Sequence, residues 1–135
     1  MKRYPIIATL VAVAITAPFV AMAKTTITDV PKAKGHDAAI EKLISVNYVK
    51  TYPDWKVVKV LLTGARTSWE IQRSPNGNIV SRSIYASVVT RKADECEVYS
   101  TYWEQQYDGK SFSGDVVEHG QGATEEAVID CAKLK

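Results

Sequence analysis

The sequence predicts an α+β fold: an antiparallel four-stranded sheet with an N-terminal helix and a C-terminal helix, in the order α-β-β-β-β-α. Three observations lead there. Apolar residues recur at helical spacing from Ile40 to Tyr48. Segments rich in β-branched and aromatic residues then follow from Trp55 to Tyr107, and short turn sequences separate them.

The first 23 residues stand apart from this pattern. Lys2 and Arg3 precede an apolar run from Ile6 to Val20, and Ala21-Met22-Ala23 places small residues where a signal peptidase reads. Residues 1–23 are therefore expected to be a signal peptide cut between Ala23 and Lys24, with a periplasmic or secreted product. The run is short for a bilayer span and no later segment is as apolar, so no stable membrane insertion of the mature chain is expected. Lys and Arg number 17 against 15 Asp and Glu. With Lys2 and Arg3 set aside the two balance, and they are interspersed, which predicts no nucleic-acid partner.

Residues 24–36 (KTTITDVPKAKGH) are polar, contain Pro31 and Gly35, and read as a flexible lead-in to a single domain over 37–135. Asp37 stands where a helix N-cap belongs, and Ile40, Leu43, Ile44 and Tyr48 form one helical face. Tyr52-Pro53-Asp54 ends that helix, because proline drives the preceding residue out of helical geometry. WKVVKVLL (55–62) is the first strand and stops at Gly64. TSWEIQR (67–73) alternates as a second, and Ser74-Pro75-Asn76-Gly77-Asn78 holds the Asn-Gly pair of a tight hairpin. NIVSRSIYASVVTRK (78–92) is long enough for a bent strand, and Lys92-Ala93-Asp94-Glu95 turns it into CEVYSTYWEQQYDG (96–109). A short edge strand is expected near Asp115–Glu118. ATEEAVIDCAKLK, with Thr124 as a cap and Ala127, Val128, Cys131 and Leu134 on one face, reads as the terminal helix.

Two cysteines in an exported chain most often pair, so Cys96 and Cys131 are expected as a structural disulfide. There is no CxxC, and two thiols with only His36 and His119 make a poor zinc set. No metal or other cofactor is expected. If Cys96 bonds to the terminal helix, Val98, Ser100, Tyr102 and Glu104 share its side, and Tyr99, Trp103 and Tyr107 turn away. Tyr85 belongs to an amphiphilic set on the preceding strand. Tyr85, Tyr99, Trp103 and Tyr107 are the candidate binding residues, since Tyr and Trp bring large contact area at low entropic cost. The competing reading places the same aromatics in cross-strand pairs, or beneath the N-terminal helix or the terminal loop.

Catalytic patterns are missing: no GxSxG, HExxH, glycine-rich phosphate loop or CxxC occurs. His119 beside Glu118 and near Asp115, or Glu104 with Asp108, would supply acid–base groups, but a His on a Gly-flanked polar stretch is more simply a solvated side chain. The chain is read as no enzyme.

The helix AAIEKLI, the break YPDWKVVKV, the WEI strand and the NGNIV hairpin, over residues 38–90, resemble small exported α+β domains of the cystatin-like, nuclear-transport-factor-2-like (NTF2-like) and PepSY kinds. QQYDG (105–109) is similar to the Gln-x-Val-x-Gly inhibitory hairpin of cystatins. It departs in having Tyr107 for Val and in following the fourth strand, so inhibition is not carried over. The NTF2-like resemblance implies acid–base residues within a deep cone, and no Asp–His pair here matches. The expected function is a small, exported, non-catalytic binding protein that contacts an envelope or secreted protein, as an inhibitor, immunity factor or virulence-associated factor does. The alternative is an NTF2-like pocket, lined by Trp69, Tyr85 and Trp103, that binds or converts a small hydrophobic molecule.

Overall fold

A computed structural model describes residues 24–119 and 124–135. The signal-peptide reading lies outside the described residues. Seven strands and one α-helix are present among those residues: β1 (Thr25–Ile27), α1 (Ala38–Thr51), β2 (Lys56–Leu61), β3 (Glu70–Arg73), β4 (Ile79–Lys92), β5 (Glu95–Gln106), β6 (Val117–Glu118) and β7 (Glu125–Ile129). The expected four-stranded antiparallel sheet with two helices is thereby overturned in favour of a mixed, mostly β architecture.

The spine is the β4–β5 hairpin, paired in unbroken register from Ser81↔Gln106 to Lys92↔Glu95. Its two-residue turn holds Ala93 at φ 50°, a left-handed conformation in which a Cβ is strained. Shorter strands flank the spine end to end. β3 and β2 pair with opposite ends of β4, and β6 and β7 with opposite ends of β5, all antiparallel. β1 pairs parallel with β7, Thr25↔Ala127 to Ile27↔Ile129. The lead-in expected as flexible thus carries a strand, and Gly35 bridges Leu62 further along.

The terminal segment read as a helix is β7 followed by a single 3-10 turn, Cys131–Lys133. Its apolar spacing suited a helix, but the N–H and C=O groups on that edge of β5 need partners. Extended Glu125–Ile129 supplies them opposite Cys96–Ser100. Local preference yields here to a pairing made across the chain.

α1 forms where Asp37 caps it, its carboxylate accepting from the Ala39 and Ile40 N–H groups at 3.1 Å each. The helix ends at Tyr52, before Pro53. The β3–β4 turn differs from the two-residue Asn-Gly form. The Gly77 N–H donates to the Ser74 carbonyl at 2.8 Å, which centres the turn on Pro75-Asn76 and leaves Gly77 alone at φ 86°. Proline's fixed φ favours that position.

Two apolar clusters grip the sheet from opposite sides. Ile40, Ile44 and Tyr48 of α1 pack on Val60, Leu62, Ile84, Ala86, Val88 and Trp103. On the far face Val89, Cys96, Val98 and Ile129 pack with Ile27, Val30, Cys131 and Leu134. The Cys96–Cys131 disulfide, with Cα atoms 5.3 Å apart, staples this second cluster shut. It joins β5 to the 3-10 turn, where a helix was expected.

Candidate functional site

Residues directly opposite in an antiparallel register share a face, so the pairing assigns every aromatic of the spine. Ile84↔Trp103 and Val88↔Tyr99 lie on the α1 side. There Tyr48 packs on both, with ring centroids 5.8 Å from Tyr99 and 6.4 Å from Trp103. Trp103 is 1% exposed. Tyr107 closes a small loop at the end of the hairpin, its ring 5.0 Å from Phe112. Tyr85 stands on the opposite face from Trp103. The four residues expected as one binding set are therefore divided among three places. Trp69 packs with the helix-side cluster, so Trp69, Tyr85 and Trp103 do not line one pocket either.

The register brings Tyr85 against Tyr102, edge to face at 5.1 Å, on the side away from α1. Tyr102 was not among the expected site residues, because parity alone grouped it with Cys96. Counting equal steps back from the Lys92–Glu95 turn would have placed it opposite Tyr85. Tyr102 is 39% exposed. The backbone at Gly64 lies against Tyr85, where an added Cβ would meet the Tyr85 Cβ at 2.8 Å. Glycine is required there by close approach.

The surroundings of the pair are polar. In one register row Glu70, Ser83 and Glu104 stand side by side. With Gln72, Tyr102 and His119 they line a groove of about 270 Å³. A smaller hollow beside Gly64, Arg66 and Tyr85 continues it. Gln72 Nε2 donates to Ser83 Oγ at 3.2 Å, and His119 Nδ1 lies 3.4 Å from Glu104. On the other side of the pair a hydroxyl chain, Thr63–Ser87–Ser100, with contacts of 2.8 and 2.7 Å, separates it from the apolar disulfide end. Burial holds the Tyr85 phenol above its usual range, and Glu125 on the same face adds to the effect. A larger hollow, about 610 Å³, lies along β1 and β7. Its lining, Lys24, Thr25, Ile27 and Thr124 to Ala127, holds no aromatic, so the groove by Tyr102 is the better candidate.

His119 and Glu118, adjacent in sequence, point to opposite faces. Glu118 sits on the α1 side across from Trp103 and accepts from the Tyr99 hydroxyl at 2.6 Å and the Tyr52 hydroxyl at 3.2 Å. This clamp ties β6 to the end of the helix. Its Oε1 and the Trp103 Nε1 have no partner among the described residues. Asp108, the other acid considered, accepts from the Lys110 and Ser111 N–H groups at its loop, which holds its carboxyl below the usual range. Lys50 and Asp115 meet at 3.3 Å on the surface. No group of three or more metal-ligating side chains occurs among the described residues.

Burial pushes the Tyr48 phenol up to about 12, and burial followed by the bond to Glu118 raises Tyr99 further. A raised phenol stabilises the fold fully below the ordinary value of 10 and ceases to do so as pH rises through about 12. Unfolding free energy is expected to hold level to about pH 10 and to fall above it. Urea titrations at stepped pH check this, with Tyr48→Phe making the decline shallower.

No family model, curated protein or solved structure matches the chain. The disulfide is present, and no helix among the described residues is long and apolar enough to cross a membrane.

Proposed function

We propose that the protein is exported and acts without catalysis, by binding another envelope or secreted protein as an inhibitor, immunity factor or virulence-associated factor does, with Tyr85 and Tyr102 as the anchor. One observation carries this reading. α1 covers one side of the sheet, and the second cluster covers only the disulfide end of the other. That leaves an aromatic pair on polar ground at the β3–β6 end. Aromatic anchors ringed by polar groups are how protein contacts concentrate their energy. The charged N-terminus with its apolar run, together with the disulfide, supports export.

Affinity capture from periplasm and culture medium tests it. Partners retained by the wild-type protein should be lost with Tyr85→Ala/Tyr102→Ala, a fall of tenfold or more in recovered material. Full retention by that variant sinks the reading.

A further inference from the structure

Resting on that reading, we propose that the partner presents a lysine or arginine side chain, which seats over Tyr102 between the carboxylates of the groove. Glu70 and Glu104 flank Ser83 on strands two apart, which places them roughly 10 Å from one another. Glu125 faces the same side, opposite Ser100, close enough to act on the Tyr85 phenol. Three carboxylates thus surround the tyrosine pair.

The cations that answer them are weak. Arg66 lies 3.7 Å from Glu70 but is 69% exposed, and His119 carries charge beside Glu104 only when protonated. An incoming cation can displace an exposed guanidinium at little cost, since solvent screens such pairs and they hold their partners weakly. An anionic segment would meet uncompensated repulsion. A purely apolar one would strip water from carboxylates and give nothing back. A guanidinium or ammonium satisfies both halves of the surface, the acids by charge-assisted hydrogen bonds and the rings through their negative faces.

The opposite face of the same sheet already builds this arrangement internally. The Arg82 guanidinium lies 4.6 Å from the Trp69 ring and 4.1 Å from the Phe112 ring, while its Nε donates to Gln105 at 2.7 Å. The groove by Tyr102 has the aromatic and acceptor groups of such a site but takes its cation from outside.

Hexa-arginine and hexa-glutamate peptides titrated into the purified oxidised protein provide the test, read by calorimetry and by amide shifts of β4 and β5. Hexa-arginine should bind with shifts centred on Tyr85, Tyr102 and Glu104, and hexa-glutamate should not bind. The triple variant Glu70→Gln/Glu104→Gln/Glu125→Gln should weaken hexa-arginine tenfold or more, and Tyr102→Ala severalfold, whereas Asp54→Asn should leave it unchanged. Equal binding by the triple variant, or no binding of hexa-arginine, overturns the inference. Captured partners lost with Tyr85→Ala/Tyr102→Ala but held by the triple variant overturn the cationic partner alone. Partners held by both variants overturn the binding face as well.

Discussion

Replacing Cys96 and Cys131 together with serine should lower the unfolding free energy by about 4 kcal/mol, the chain-entropy value for a loop of this length. The bond crosses 35 residues and fastens the last turn of the chain to the first residues of β5. Cys131 and Leu134 lie over Val89, Val98 and Ile129, and without the staple nothing covalent holds that cover in place. Freed to fray, the terminal turn would also expose apolar surface on the far face. Denaturant midpoints for the serine variant and for the wild type in reductant measure the loss. A drop below about 1 kcal/mol would mean that packing alone seats the terminus.

Trp103→Ala should cost about 3–5 kcal/mol, while Tyr102→Ala next to it should cost no more than about 1. The two side chains leave the same strand in opposite directions. Trp103 fills the space between α1, Ile84 and Val116, and truncation leaves a cavity that the helix cannot collapse to close. Tyr102 is partly solvated and loses mainly its contact with Tyr85. Thermal unfolding of the two variants side by side separates them, and near-UV circular dichroism reports whether the core stays ordered. Equal losses would mean that the face assignments of β5 are reversed. The contrast bears on function, since failed binding by Trp103→Ala would report unfolding, and failed binding by Tyr102→Ala would report the surface.

Short-range chemistry made α1 readable, because Asp37, the apolar spacing and Pro53 act within a few residues of one another. The long hairpin was readable for the same reason. What escaped were the pairings at a distance. Nothing near Glu125 announces that β5 has an unpaired edge, so a stretch compatible with a helix was read as one. Nothing in Thr25–Ile27 announces a strand at all until β7 lies beside it. The aromatic stripe shows the limit most clearly. Alternation correctly separates Tyr99 and Trp103 from Cys96, yet which face a helix will cover is decided by the path of the chain after Thr51. Residues that looked available for a partner were needed for the interior, and the exposed aromatic pair required knowledge of cross-strand register.

The parallel pairing of β1 with β7 joins opposite ends of the described chain, Thr25 to Ala127. Contacts of such separation form late, after the loop between them has been closed by other structure. The β4–β5 spine can assemble from local contacts alone, but β1, which completes one edge, has nowhere to dock until β7 has arrived. β7, the later of the two strands in the chain, is therefore what β1 needs before it can pair. A chain emerging N-terminus first must hold Thr25–Ile27 unpaired until Glu125–Ile129 is in place, and truncation before Glu125 would leave both β1 and the Cys96–Ser100 stretch of β5 without that partner.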